Sequence, residues 1–125
     1  MQSIRTDKAP APIGPYSQAV KVDSTLYCSG QVAINPVSGE MQQASIAEET
    51  EQVLQNLQAV LKAGGSGLDQ VAKCSIFLTD MGYFHEVNEV YSRYFTGNFP
   101  ARETVAVKAL PAGARVEISC VAVCV

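Results

Sequence analysis

The sequence predicts an α+β domain in which a mixed β-sheet carries two helices packed on one face. Two segments, Ser45–Ala63 and residues 80–95, place their apolar residues at helical spacing. Short apolar segments typical of strands precede, separate and follow them, and such alternation favours helices laid on a sheet. A chain of 125 residues fits one folding unit. We therefore expect a single domain over residues 1–125.

The segment Ser45–Ala63 gives the clearest helical pattern. Ser45 and Glu48 have the spacing of a capping box, in which two side chains satisfy free amides of the first turn. Gly64 follows the last apolar position and is typical of a helix end. One stripe of the helix carries its apolar residues, namely Ile46, Val53, Leu54, Leu57, Val60 and Leu61.

The remaining elements follow from apolar runs and turn residues. A second helix is expected to begin near Asp80 as its N-cap and to run to Phe95, with Gly97 just beyond its end. Turns are expected where proline and glycine cluster, at residues 36–39 and 110–113. Strands are expected at Thr25–Gly30, Val71–Leu78, Arg102–Val107 and Val116–Val123.

The composition indicates an oligomer without a nucleic-acid footprint. Charged residues make up 17% of the chain, against about 25% in an average soluble domain. The last strand is apolar on both faces apart from Glu117 and Ser119, so its second face is expected to meet another subunit. A net charge of −3 disfavours phosphate binding, which relies on clustered lysine and arginine.

Cysteine usage and the N-terminus favour a reducing compartment. The four cysteines lie among aliphatic residues and form no C-x-x-C pair, and the single histidine is His85, so a metal site is not expected. No secretory signal and no apolar run of membrane-spanning length are visible. We expect a cytoplasmic protein without membrane contact.

Three polar residues fall in apolar surroundings, and each has a structural and a functional interpretation. Asn88 lies within the apolar stripe of the second helix, where it either ties the helix to a loop or belongs to a site. Arg102 either forms an ordinary salt bridge with Glu103 or Glu117, or clamps a carboxylate. Glu117 either pairs with a basic residue or orients and deprotonates water. From spacing alone, the structural interpretations of Asn88 and Arg102 are favoured.

Other residue types give weaker indications. Tyr16 serves equally well as turn packing or as a hydroxyl donor, and one histidine cannot support a Ser/His/Asp triad. The glycine cluster at residues 64–67 follows a helix and not a strand, so no phosphate loop and no nucleotide cofactor are indicated.

These polar residues coincide with the motifs of a known family, and the resemblance covers nearly the whole chain in order and spacing. The chain resembles the reactive intermediate deaminases, also called the Rid, YjgF or L-PSP family. The matching segments are Ile13–Val20, Ser29–Gln31 with Asn35–Pro36, Val87–Tyr91 with Tyr94–Phe95, Phe99–Arg102, and Val116–Ile118.

The resemblance implies a chorismate-mutase-like fold, a homotrimer with sites between subunits, and no metal or organic cofactor. It also implies hydrolysis of 2-aminoacrylate-type enamines and imines, such as 2-iminobutanoate and 2-iminopropanoate, to 2-keto acids and ammonia. By this resemblance Arg102 would bind the substrate carboxylate, Glu117 would activate water and Tyr16 would contribute its hydroxyl. The substrate would further be contacted by Ser29, Gly30, Asn88 and Thr104.

Two positions depart from the family pattern. Many relatives have cysteine where Thr104 stands, so thiol chemistry is not available there, although a backbone contact would survive. Relatives often have a second acidic residue where Ser119 stands, which leaves Glu117 as the only carboxylate of its strand.

Two other functions remain open from the sequence. One is a non-catalytic binder of small 2-keto or 2-amino carboxylates that regulates a partner; it would use Arg102 but would not need Glu117 for turnover. The other is the endoribonuclease of the older family names, which the net charge and the single histidine disfavour.

Overall fold

The computed structural model describes all residues, Met1–Val125. It contains six strands and two helices. In chain order these are β1 (Gln2–Ile4), β2 (Ala19–Val22), β3 (Thr25–Gln31), α1 (Ile46–Ala63), β4 (Val71–Leu78), α2 (Phe84–Tyr94), β5 (Ala101–Ala106) and β6 (Val116–Val123). Short 3-10 turns lie at Leu68–Gln70, Met81–Tyr83 and Pro111–Gly113.

The strands form one mixed sheet in the order β1-β2-β3-β6-β4-β5. Only β4 and β5 are parallel, and α2 forms the crossover between them, as a parallel connection requires. All other neighbouring pairs are antiparallel. The predicted α+β class and mixed sheet are confirmed, and the sheet places β6, which carries Glu117, at its centre.

Both helices lie on the same face of the sheet. α1 crosses β3 and β6, and α2 packs against α1. The side chains beneath them are fully or almost fully buried and form the core, among them Leu26 on β3, Ile76 on β4 and Ile118 on β6. A single apolar face on each strand is enough to build this core, because every strand alternates its side chains between the two faces.

The opposite face of the sheet is open and partly apolar. Tyr27, Val105 and Val123 point to this side with 51%, 42% and 46% of their surfaces exposed. Ser75 and Lys73 on the same face bind Glu103, the lysine with an Nζ–Oε1 distance of 3.0 Å. The predicted second apolar face is therefore present and nothing within the chain covers it.

The helix limits confirm one prediction and correct another. Ser45 caps α1 by accepting a hydrogen bond from the Glu48 amide at 3.0 Å, which is one half of the predicted capping box, and the Glu48 side chain makes no return bond to the Ser45 amide. At the other end of α1, the Gly64 amide donates to the carbonyls of the last turn. Asp80, in contrast, does not cap α2. Its carboxylate accepts a hydrogen bond from the Gly82 amide and so caps the 3-10 turn Met81–Tyr83. Because this turn comes between Asp80 and the helix, α2 begins only at Phe84.

The strand predictions are confirmed to within one or two residues, with two omissions. The strands β1 and β2 were not predicted individually, because Gln2–Ile4 is short and Ala19–Val22 carries only a weak alternation. The glycine at 97 lies beyond α2 with a φ of +83°, as its place after the helix predicts.

Candidate functional site

Glu117 lies on the open face of β6 as a half-buried carboxylate. Its register partner on β4 is Phe77, and the neighbouring β6 residues Val116 and Ile118 point into the core. The carboxylate has no ion-pair partner and no hydrogen bond within the chain, so the salt bridge of the structural interpretation does not form within one copy. Partial burial alone raises the pKa of Glu117. A carboxylate held this way is a stronger base than an exposed one.

Gly30 makes room for this carboxylate. A Cβ atom at position 30 would lie 2.7 Å from Cδ and 2.9 Å from Cγ of Glu117, closer than side chains tolerate. The same stretch forms a β-bulge, since Cys28 pairs with Cys120 but Gln31 pairs with Ile118, which leaves one extra residue on β3. The bulge and the glycine together bring the backbone of β3 against Glu117.

A cavity of about 280 Å³ opens beside Glu117. It brings together four of the predicted site residues with three apolar ones, and its lining consists of Ile13, Tyr16, Ser29, Gly30, Val32, Pro111 and Glu117. A cavity lined by a carboxylate and a few other polar groups together with apolar side chains is typical of small-molecule sites.

The N-terminal loop that supplies Tyr16 is held in place by Gln18, which the sequence analysis did not single out. The buried Gln18 side chain accepts from the Thr6 amide at 2.7 Å and donates to the Pro10 carbonyl at 2.8 Å. The Ser29 hydroxyl donates to the Ser17 carbonyl at 2.6 Å, so Ser29 faces the cavity with its hydroxyl already engaged. The Tyr16 hydroxyl accepts from the Ile13 amide at 3.2 Å.

Arg102 lines a second cavity, of about 310 Å³, beside α2. Its guanidinium forms no ion pair within the chain. Glu103 pairs with Lys73 instead, so the predicted salt bridge with Glu103 is absent, and no salt bridge with Glu117 forms within one copy. Asn88 lines the same cavity and its amide makes no hydrogen bond, so it does not tie α2 to a loop. The full lining is Asn88, Tyr91, Ser92, Phe99, Pro100 and Arg102.

The two cavities lie on opposite faces of the sheet. Arg102 is in register with Cys74 of β4, whose side chain points into the core under the helices. Glu117 is in register with Phe77, three residues further along the same strand and therefore on the other face. A single copy of the chain does not bring Arg102 and Glu117 to one site.

Thr104 lies in neither cavity. It occupies the helix-side face of β5, next to Ile76, and its hydroxyl is buried without a hydrogen-bond partner. Buried hydroxyls are rarely left unpaired. Its predicted contact with substrate stays a prediction.

The structure also contains a buried ion pair that the sequence analysis missed. Glu49 is fully buried on α1 and accepts from the Arg115 side chain at 2.8 Å, from the Arg115 amide at 2.7 Å and from the Val116 amide at 3.2 Å. The signal was available, since Glu49 falls between Ile46 and Val53 on the apolar stripe of α1. This pair fixes the first residues of β6, directly before Glu117.

No group of three or more histidine, cysteine, aspartate or glutamate side chains is arranged to hold a metal ion. The cysteines are free, and Cys28, Cys74 and Cys120 are buried in a row across three strands.

Neither helix combines the length and the apolar character needed to cross a membrane.

The chain is similar to proteins of one family along almost its whole length. A family model described as Endoribonuclease L-PSP matches residues 6–124. The 2-iminobutanoate/2-iminopropanoate deaminase of Mus musculus is 52% identical over 120 residues, which are 96% of this chain and 89% of the mouse protein.

Two solved structures show the same fold. RidA from the Antarctic bacterium Psychrobacter superimposes with a TM-score of 0.95 at 42% identity, covering 98% of this chain and 99% of that one. E. coli TdcF with bound serine superimposes with a TM-score of 0.94 at 34% identity, with 98% of each chain covered. On these similarities in sequence and structure, the chain belongs to the Rid family, the group that the L-PSP family model describes.

Proposed function

We propose that this protein hydrolyses 2-imino acids and their enamine tautomers to 2-keto acids and ammonia. The observation that carries the proposal is Glu117, a half-buried carboxylate without a partner that faces a cavity and whose pKa is raised by burial. The name of the mouse relative, 2-iminobutanoate/2-iminopropanoate deaminase, supports the same reaction.

The proposed site is completed by a second copy of the chain. Arg102 and Glu117 lie on opposite faces of the sheet, so a site that uses both takes them from different copies. The open face with Tyr27, Val105 and Val123 supports close assembly, because a monomer would leave these side chains in water. We propose a homotrimer, as in the family that the sequence resembles, acting in the cytoplasm on small metabolites.

The reaction needs little beyond positioning and one proton carrier. The guanidinium of Arg102 would hold the substrate carboxylate through two parallel hydrogen bonds, which fixes the imine carbon. Glu117 would take a proton from water as the oxygen attacks that carbon. From a protonated imine this gives a neutral carbinolamine and a protonated Glu117. Glu117 would then return that proton to the nitrogen, the C–N bond would break as ammonia leaves, and the carbinolamine hydroxyl would pass its proton to the Glu117 carboxylate as the carbonyl of the 2-keto acid forms.

The remaining residues would shape the pocket. The Tyr16 hydroxyl would donate to the substrate, while Ser29 and Gly30 would line it with their backbone. Asn88, whose amide is free beside Arg102, would contact the carboxylate or the wall around it. Thr104 would contribute through its backbone on the strand of Arg102.

The test is imine hydrolysis with an amino-acid oxidase that generates the imine in place. We expect wild type to accelerate hydrolysis over buffer and Glu117→Gln to lose about 10²–10⁴-fold in rate, as for other general bases. Arg102→Ala should lose about 2–5 kcal/mol of transition-state binding. Arg93→Ala is the matched control, because Arg93 is an exposed arginine of α2 with only a long contact to Glu51 at 3.9 Å.

A second function, that of a non-catalytic binder of small amino or keto carboxylates, is favoured by one observation. TdcF has been solved with serine bound. Such a binder would keep the dependence on Arg102 and show no acceleration by wild type. That outcome would contradict the proposed imine hydrolysis and would support non-catalytic carboxylate binding instead.

A further inference from the structure

The guanidinium of Arg102 lies over two aromatic rings of α2. Its Cζ lies 4.9 Å from the ring centre of Tyr91 and 5.7 Å from that of Phe84, both within the range of cation–π attraction. No carboxylate of the chain pairs with it, whereas Arg93 and Arg115 each contact a glutamate. The rings are therefore the main contacts that determine where this cation lies.

The ring of Tyr91 cannot move far. It is 6% exposed and stacks on the buried ring of Phe95 with a centroid distance of 4.4 Å and an interplanar angle of 27°. Burial, and next the neighbouring Cys74 thiol, raise the pKa of its hydroxyl, so the phenol stays neutral. The useful part of this side chain for Arg102 is the ring and not the hydroxyl.

We infer that Tyr91 is a positioning residue that holds the Arg102 guanidinium ready for a substrate carboxylate, an inference that rests on the proposed function of Arg102. The two interactions use different parts of the guanidinium. Aromatic rings contact its flat face, while a carboxylate binds the N–H groups along its edge. A ring placed under the guanidinium thus restricts the long side chain and leaves its N–H donors for the substrate.

The restriction lowers the entropy that Arg102 loses when substrate binds. A free arginine side chain samples many rotamers, and fixing them on binding reduces affinity. If carboxylate binding is equally strong in the ground and transition states, loss of the ring raises KM and leaves kcat nearly unchanged.

The experiment compares Tyr91→Phe with Tyr91→Leu and uses 2-ketobutanoate, a stable carboxylate product, as the probe. By calorimetry we expect Tyr91→Leu to bind it about three- to tenfold more weakly than wild type, as loss of a cation–π contact implies. Tyr91→Phe should bind within about twofold of wild type because it keeps the ring. The Nε–H signal of Arg102 in NMR spectra should move in the leucine variant and not in the phenylalanine variant.

Phe84→Leu is a second variant for the case that Tyr91→Leu does not fold, because Phe84 is 37% exposed and contributes less to the core. Wild-type affinity in both leucine variants, with binding lost in Arg102→Ala, would overturn the inference and leave the proposed function standing. Ring-dependent binding in a protein that does not hydrolyse imines would support the inference while contradicting the enzyme. Absence of ketobutanoate binding to wild type would overturn it as well.

Discussion

The chain contains two sets of one arginine and one glutamate: Glu49 and Arg115 form an ion pair, the closed pair, whereas Arg102 and Glu117, the free set, form none within the chain. Glu49 and Arg115 meet in a closed pair in which the carboxylate also accepts two backbone amides. Arg102 and Glu117 are each left without an oppositely charged partner, on opposite faces of the sheet and each beside a cavity. The same residue types therefore serve architecture where they are paired and remain free for a ligand where they are not.

The difference also explains how the free set is positioned. The Glu49–Arg115 pair holds the start of β6, and the β3 bulge with Gly30 lets the Glu117 side chain lie close to the backbone. On the other face, α2 supplies the rings beneath Arg102. The Glu49–Arg115 pair thus supports the strand that carries Glu117, while α2 supports Arg102.

The largest effect on stability is expected at the closed pair. Glu49→Ala removes the acceptor of the Arg115 side chain and of two backbone amides, and should lower the free energy of unfolding by about 3–5 kcal/mol. Arg102→Ala, which breaks no ion pair, should lower it by less than about 1 kcal/mol. Urea unfolding of both variants measures the contrast. Similar losses in the two variants would contradict the division into paired and free sets.

Gly30→Ala should disturb the free set without unfolding the protein. The added methyl group would displace the Glu117 carboxylate, and we expect imine hydrolysis to fall about 10–100-fold, since small misplacements of catalytic groups are costly. Gly14→Ala is the control, because its methyl group would meet the Tyr16 ring at an ordinary 3.5 Å. Unchanged activity in Gly30→Ala would show that the position of Glu117 does not limit the rate.

The smallest effect is a pH-dependent gain in stability on removing the Glu117 charge. The pKa of Glu117 is raised in the folded chain, so the folded state binds this proton more tightly than the unfolded state. Its ionisation therefore costs stability as the pH rises above the usual value of 4.5. We expect calorimetry to show that Glu117→Gln melts at a higher temperature than wild type at pH 7 and at the same temperature near pH 3. If Glu117→Gln melted below wild type at pH 7, the ionised carboxylate would have to be stabilised by a positively charged or hydrogen-bonding group, which would contradict this prediction.

The local chemistry of the sequence predicted most of the fold. Ser45 and the stripe of α1 fixed one helix, and apolar runs located the longer strands, because these signals act within a few residues. The start of α2 was misplaced because Asp80 can cap a 3-10 turn as well as an α-helix. The short strands β1 and β2 depend on pairing across the sheet, which a local pattern does not record.

The site was predictable only in part. Arg102 and Glu117 stood out as charges in apolar strands, yet nothing in their spacing showed that β4 separates them and that they face opposite ways. The role of Gln18 depends on its hydrogen bond with Thr6, which lies twelve residues earlier in the chain, and a local pattern does not show such a contact. Glu49 could have been found from the helical stripe, whereas its partner Arg115 lies 66 residues away and could not.

The most direct test of a site shared between copies mixes two strongly impaired variants, Arg102→Ala and Glu117→Gln. If each site takes Arg102 from one copy and Glu117 from another, oligomers formed together from Arg102→Ala and Glu117→Gln chains contain some intact sites. Random assembly predicts that the mixture regains about one quarter of wild-type imine hydrolysis, well above the roughly 3% or less that each variant keeps alone. Mixing Arg102→Ala with the double variant is the control and should remain inactive. A mixture that forms mixed oligomers but stays inactive would contradict a shared site made from Arg102 and Glu117.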